Sequence, residues 1–355
     1  MEDVKNTKIT NIVATLGPAT DRENNLLKII NQGVNIVRLN MSHGNIDDHL
    51  TRIKKINDIN QEHKTNVKIM ADLQGPKVRI SKFKDGSVHL NQGDKFILDY
   101  SLKDKLGDQN SVGYDFEALH ENLNQKDILL IDDGKIRLEV IKKEAYKVTC
   151  IVKNAGVVSN NKGINKKHGG ISLNTITAKD IEDIKNITPL NLDYIALSFV
   201  KKSQDIINLR KILTEKKCNA KIIAKIECAE LISETEELDA VIKAADAVMI
   251  ARGDLAVEIG LEKLMIAQKH ITKKCILYKT ESIVATQMME SMINSPVPTK
   301  AEISDVFNAV IDRNNAVMLS AESATGSYPV ETVKYMRKIC TEAESYLKMV
   351  QNDKL

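Results

Sequence analysis

Apolar positions along this chain follow two alternating rhythms. Short apolar runs, whose side chains point to opposite faces in turn, give way to longer stretches with an apolar residue every three or four positions, the spacing of one helix face. The first run, Lys8 to Leu16, predicts a strand ending at the turn Gly17-Pro18. Thr20 to Glu23 has the form of a capping box for a helix with Leu26, Leu27, Ile29 and Ile30 on its apolar face, and Gly33 stops it. Asn35 to Met41 is a second strand, Ile46 to Lys64 a helix, and Val67 to Leu73 a third strand.

The helical period then vanishes from Gly75 to about Gly170. Short β runs replace it, such as Lys95 to Leu98 and Asp127 to Val140, the second broken by Asp132-Asp133-Gly134, a hairpin signal. A β-rich stretch of that length between a strand and its helix predicts a separate small domain. The first rhythm resumes with a helix at Thr177 to Ile187. Strands follow at Tyr194 to Phe199, Ile222 to Glu227, Ala247 to Ala251, Ser282 to Thr286 and Ala316 to Leu319. Helices lie at about 204–216, 229–244, 262–279, 300–313 and 330–348. Eight strands, each followed by a helix, predict an α/β chain folded as a (β/α)₈ TIM barrel. An open doubly wound sheet is the alternative, but no G-x-G-x-x-G turn follows the first strand. The expected organisation is barrel over 1–74, an inserted β-barrel-like lid over 75–170, and barrel again over 171–355, with no further C-terminal domain.

Composition narrows the function classes. No apolar run reaches the roughly 18 residues of a membrane span, and the polar start MEDVKNTK is no signal peptide. Lys plus Arg number 51 against 48 acids, a net +3 spread along the chain, which gives no electrostatic case for nucleic acid, and aromatics at 4% offer few stacking platforms. Cys150, Cys218, Cys228, Cys275 and Cys340 are scattered and form no C-x-x-C pair, as expected of reduced thiols in a cytoplasmic protein without structural zinc. Cys228 has the opposite parity to Glu227 and is expected to pack outward.

Barrel enzymes carry their chemistry at the C-terminal ends of the strands. Lys225 and Glu227 share one strand face, and the next strand runs into Arg252-Gly253-Asp254. A lysine and two carboxylates there suit a divalent metal and an anionic substrate together; a salt-bridge cluster at the rim is the bland alternative. Arg38, Asn40 and Ser42 share one parity, with His43 next. Three polar residues on an inner barrel face are costly unless they bind something. Asp72 ends the third strand, Arg79 lies just inside the insert, Thr286-Gln287 end the seventh strand, and Ser320-Ala321-Glu322 the eighth.

Over nearly its whole length the chain resembles the pyruvate kinases. The resemblance is carried by Thr15-Leu16-Gly17-Pro18, Asn35 to Gly44, Asp72 to Lys77, Asn161-Lys162-Gly163, Ala224 to Glu227, Ala251 to Leu255, Ala285 to Met292, and Pro298 to Glu302. It implies phosphoryl transfer from phosphoenolpyruvate to ADP, giving pyruvate and ATP. Lys225 and Arg38 would then act on the transferring phosphoryl, Glu227 and Asp254 would hold Mg²⁺ or Mn²⁺, and the backbone at Gly253-Asp254 with Thr286 would take the substrate carboxylate. Thr286 would also lie near the water that protonates the enolate. Arg79 and Lys162 would hold nucleotide phosphates above a floor of Asn40, Ser42 and His43. A metal-dependent aldolase or lyase acting on pyruvate-like acids is a rival reading, and a non-catalytic binding paralogue a second.

The departures carry expectations too. Where many members have Thr-Lys-Gly-Pro-Glu, this chain has Leu73-Gln74-Gly75-Pro76-Lys77. An ammonium at Lys77 can supply the positive charge that K⁺ otherwise brings, so K⁺ is not expected to be required. Asn40, Ser42, Asp72 and Leu73 are what remains of a monovalent-ion site. The family's usual further domain, with its sugar-phosphate effector site, is absent from the sequence, so hyperbolic kinetics and a homodimer are expected. Ala256 stands where Gly is usual, beside the carboxylate-binding turn.

Overall fold

The computed structural model describes residues 10–352. Eight parallel strands close into a barrel: β1 (Asn11–Thr15), β2 (Ile36–Asn40), β3 (Lys68–Asp72), β4 (Tyr194–Leu197), β5 (Lys221–Ile226), β6 (Ala247–Ala251), β7 (Glu281–Ala285) and β8 (Ala316–Leu319). Each strand pairs with its neighbours in sequence, and β8 closes on β1. Lys8 and the polar N-terminus, included in the sequence expectations, lie outside the described residues. No helix among the described residues is long and apolar enough to cross a membrane.

The strand period divides the core in two. One parity points outward to the helices and builds the large shell with Ile12, Val37, Ile69, Ile195, Ile222, Val248, Val284 and Val317. The other parity fills the barrel, where Met70, Met249 and Met318 pack among Ala196, Ala247, Ala285 and Ala316. Adjoining large and small side chains is how a narrow barrel reaches interior density without a pore. Two residues further along that inner parity come Arg38, Asp72, Ser198 and Lys225. The pattern that packs the barrel therefore delivers four polar side chains to its mouth.

Capping residues start the outer helices. Asn45 accepts from Asp48 N (2.8 Å), Thr177 from Asp180 N (3.1 Å) and Thr299 from Glu302 N (3.2 Å), each with the acidic residue answering as in a capping box. Thr20-x-x-Glu23 does not work this way. Thr20 sits inside a single turn, Pro18–Asp21, with its hydroxyl bonded back to Gly17, and Glu23 and Asn24 take left-handed φ values of 51° and 55° before the helix Asn25–Asn31 begins. The helix expected after β5 is broken at Glu234 into Ala229–Ser233 and Thr235–Ala244.

Between β3 and the helix Ala178–Ile187 lies the β insert, with its own core of Val78, Phe96, Leu98, Leu129, Leu138, Val148, Cys150, Val152 and Ile164. A six-stranded sheet carries it, and isolated bridges from Arg79 to Gly163 and from Ile80 to Tyr114 tie together the two edges, leaving it nearly closed. The hairpin signal is borne out: Asp132, Asp133 and Gly134 all take positive φ between strands Ile128–Ile131 and Ile136–Glu144.

Candidate active site

Asp72 is the centre of the mouth. Its carboxylate is 1% exposed and lies between two cations, Arg38 Nε at 2.6 Å on Oδ2 and Lys225 Nζ at 3.1 Å on Oδ1. Arg38 also donates to Thr15 Oγ1 (3.0 Å), and Lys225 to Ser198 Oγ (2.6 Å), which in turn donates to the Leu73 carbonyl (2.7 Å). Burial works to raise the Asp72 carboxyl, but Lys225 and Arg38 outweigh it and hold it below the ordinary carboxylate range. Burial likewise disfavours the Lys225 ammonium, and Asp72 and Glu227 reverse that, so the lysine stays charged.

Glu227 follows at the end of β5. Its Oε1 accepts from Phe199 N (2.6 Å); its buried Oε2 has no hydrogen bond and faces Lys225 Nζ at 3.6 Å. Burial pushes its pKa up to about 7, with Asp254 adding to the rise and Lys225 opposing it. Asp254 lies in the first turn of the helix Arg252–Ile259 and is held by Lys77 Nζ at 2.9 Å. A buried carboxylate oxygen with no hydrogen bond, beside a second carboxylate, is a hard-oxygen donor set, and it fits Mg²⁺ or Mn²⁺.

Thr286 and Gln287 follow β7 with φ values of 73° and 52°. A β-branched residue in that region is strained by about 1–3 kcal/mol. Arg252 holds the turn in place: it donates to the Thr286 carbonyl (2.7 Å) and the Gln287 carbonyl (3.1 Å), and forms a paired contact with Asp305 at 2.8 and 2.7 Å. The Thr286 hydroxyl is thereby aimed at the start of the helix Arg252–Ile259, where it accepts from Gly253 N (2.8 Å).

The remaining sequence-predicted residues gather more loosely. Asn40 Oδ1 accepts from Ser42 N (3.2 Å). The His43 imidazole is pushed below its usual value by burial and by the positive charges of Arg79, Arg38 and Lys77. Arg79 donates to the Asn161 carbonyl (3.2 Å), and Lys162 is engaged by Asp132 at 2.9 Å. Of the residual monovalent-ion set, both Asp72 oxygens carry cations and the Leu73 carbonyl carries Ser198. Ser198 and Arg252 do not stand out as individual site residues in the sequence. The inner parity of β4 is the signal for Ser198, whereas the target of Arg252, a carbonyl more than thirty residues away, leaves no local trace.

The family model for the pyruvate kinase barrel domain matches residues 7–333. The chain is 48% identical over 335 residues to a pyruvate kinase of Haemophilus influenzae, covering 94% of this chain and 70% of that one. It is 50% identical over the same length to one from Buchnera aphidicola subsp. Acyrthosiphon pisum, again spanning 94% and 70%. Among solved structures, a pyruvate kinase from Cryptosporidium parvum superposes with a TM-score of 0.89 at 33% identity, covering 95% of this chain and 70% of that one.

Proposed function

The chain belongs to the pyruvate kinase family, a family of phosphotransferases, and we propose from that premise how its residues share the transfer of the phosphoenolpyruvate phosphoryl group to ADP, giving pyruvate and ATP. The observation that carries the reading is the Arg38–Asp72–Lys225–Glu227 row at the barrel mouth, two fixed cations against one shared carboxylate, with a buried Glu227 oxygen that faces Lys225 and makes no hydrogen bond.

Phosphoryl transfer asks a protein chiefly for positioning and charge stabilisation. Lys225 neutralises the phosphoryl oxygens in flight, and Arg38 holds the same group from the β2 side. Both are pre-oriented by Asp72, so little reorganisation is needed when the substrate arrives. Glu227 and Asp254 would hold the divalent ion, which would supply charge neutralisation to the transferring group. The Thr286 hydroxyl and the backbone N–H groups at Gly253-Asp254 receive the substrate carboxylate, at a helix start that favours anions. Thr286 also borders the face on which the enolate gains its proton. Arg79 and Lys162 bring the nucleotide phosphates over Asn40, Ser42 and His43, and the insert acts as a lid that keeps water from the phosphoryl group.

Three finer readings accompany this one. K⁺ is dispensable, because Lys77 provides a tethered cation at the mouth and the Asp72 and Leu73 oxygens of the monovalent set are already engaged. The protein assembles through its barrel helices as a dimer, supported by exposed Leu261, Ile266 and Leu277 on and beside the helix Leu264–Tyr278. It works in the cytoplasm, where its five free thiols stay reduced. The deciding experiment is a coupled assay for pyruvate with Mg²⁺, with and without ADP. Pyruvate formed only with ADP supports the transfer; pyruvate released without ADP points to a lyase, and none at all to a binding protein.

A further inference from the structure

A second cluster of ligand-type side chains begins one residue beyond Glu227, where the insert rejoins the barrel. A small cavity of about 40 Å³ there is lined by residues of both, among them Asn165, Gly169, Cys228, Glu230 and Glu258. Cys228 Sγ and one carboxylate oxygen each from Glu230 and Glu258 lie within 4.8 Å of one another. The cysteine is 1% exposed, the Glu258 residue 7%. The outer oxygens of the two glutamates are already engaged: Glu230 Oε1 accepts from Gly170 N (2.7 Å) and faces Lys201 Nζ (3.4 Å), and Glu258 Oε2 accepts from Ala229 N (2.8 Å). Those contacts aim the carboxylates and leave Glu230 Oε2 buried with no partner. Backbone geometry makes the room, since Gly169, at φ 74°, approaches so closely that a Cβ there would collide with that same oxygen.

An independent observation comes from the insert side. Asn165, 6% exposed on the strand Ile164–Lys166, reaches Glu258 Oε1 with its amide nitrogen at 3.4 Å, and its Oδ1 has no partner. A buried amide oxygen without a donor costs about 1–3 kcal/mol. A thiol and two carboxylate oxygens lie within reach of one cation in a cavity that Asn165 also lines, and two buried oxygens there, Glu230 Oε2 and Asn165 Oδ1, have no hydrogen bond.

We propose that Cys228, Glu230, Glu258 and Asn165 form a binding site for a thiophilic divalent cation of the zinc class, separate from the catalytic carboxylates. Sulfur among the donors selects Zn²⁺ or Cd²⁺ over Mg²⁺, and four donors match the usual tetrahedral number. Binding forms a metal–sulfur bond as the thiol proton leaves to solvent, with no redox change. Lys201 offsets part of the remaining negative charge. Because Asn165 belongs to the insert and the other three to barrel elements, an occupied site staples the insert at its junction.

The test uses the full chain stripped with a chelator, then given excess Mg²⁺ so that Glu227 and Asp254 stay out of the titration. Cd²⁺ is added while the near-ultraviolet thiolate-to-cadmium charge-transfer band is followed. The expected result is a band that saturates at one equivalent, is retained in Cys218→Ser and is lost in Cys228→Ser. Glu230→Gln, a partly buried isostere that keeps the Gly170 contact, is expected to weaken Cd²⁺ at least tenfold and serves if Cys228→Ser does not fold. A band that survives Cys228→Ser, an affinity unmoved by Glu230→Gln, or no band at one equivalent would overturn the proposal, whatever the outcome of the pyruvate assay.

Discussion

Replacing Lys225 by Met separates the catalytic worth of this ammonium from its structural worth. Lys225 lies between two buried carboxylates, at 3.1 Å from Asp72 and 3.6 Å from Glu227. Removing one partner of a buried ion pair ordinarily costs about 3–5 kcal/mol, because a charge is left uncompensated. Here two features reduce the cost. Asp72 keeps Arg38 at 2.6 Å, and Glu227, already raised to about 7, takes up a proton more readily once Lys225 is gone. A stability loss of about 1–3 kcal/mol is therefore expected, small enough to leave a folded barrel. Catalysis has no such substitute. Loss of a preorganised charge aimed at the transferring group costs about 3–4 kcal/mol, so kcat is expected to fall by about 10²–10³ or more, while Arg38, Thr286 and the helix start keep phosphoenolpyruvate bound. The checks are denaturant melts, calorimetric titration with phosphoenolpyruvate and Mg²⁺, and the ADP-dependent pyruvate assay. A folded variant that retains kcat within tenfold would refute the role given to Lys225.

Other consequences can be measured with the same preparations. Arg252→Met removes the clamp on the Thr286–Gln287 turn, and kcat/KM is expected to drop about 10²-fold with the barrel still folded, since small misplacements of reacting groups cost that much; unchanged kinetics would show that the turn holds its shape unaided. Glu227 has its carboxyl raised from 4.5 to about 7, so the folded state binds the extra proton and stability declines as pH rises through that window, then levels off. Glu227→Gln should flatten this dependence, and in the wild type a proton should compete with Mg²⁺ below about 7, weakening apparent affinity by up to about tenfold per pH unit; an Mg²⁺ requirement constant from pH 6 to 8 contradicts it. In tetramethylammonium buffer, activity is expected within about twofold of that in K⁺ at equal ionic strength, and a strict K⁺ requirement would end the tethered-cation reading of Lys77. Ile266→Glu should shift a dimer toward monomer in light scattering; an unaltered mass would place the interface elsewhere.

Much of this arrangement is legible in the sequence because the strand period is two. Once the apolar parity of β2 and β5 is known, Arg38 and Lys225 must project into the barrel, and eight strand ends must converge on one rim. What escapes depends on contacts between distant segments. The sequence marks Lys77 as a cation able to stand in for K⁺, and nothing local indicates that its ammonium rests on Asp254, 177 positions away. Thr20 looks like a cap because its spacing to Glu23 is right, yet the chain turns left-handed at Glu23 and the Thr20 hydroxyl bonds back to Gly17. Arg252 belongs to a recognisable motif, but its task of holding two carbonyls after β7 exists only in three dimensions.

The pairing of β3 with β4 has a bearing on how the chain reaches its fold. Asp193 accepts from Ile69 N (2.8 Å) across 124 positions, because the whole insert intervenes. Closing so long a loop costs roughly 1–2 kcal/mol more than closing an ordinary barrel crossover, and the cost precedes any reward from the contact. The insert has its own core, and its ends are brought together where Gly75 N donates to Asp180 Oδ1 (3.2 Å). If the insert condenses first, the effective loop shrinks to the few linking residues, and zipping of the barrel can proceed past it. Substitutions in the Phe96–Leu138 core should then slow folding of the barrel itself, a kinetic dependence of one compact unit on another that it merely interrupts.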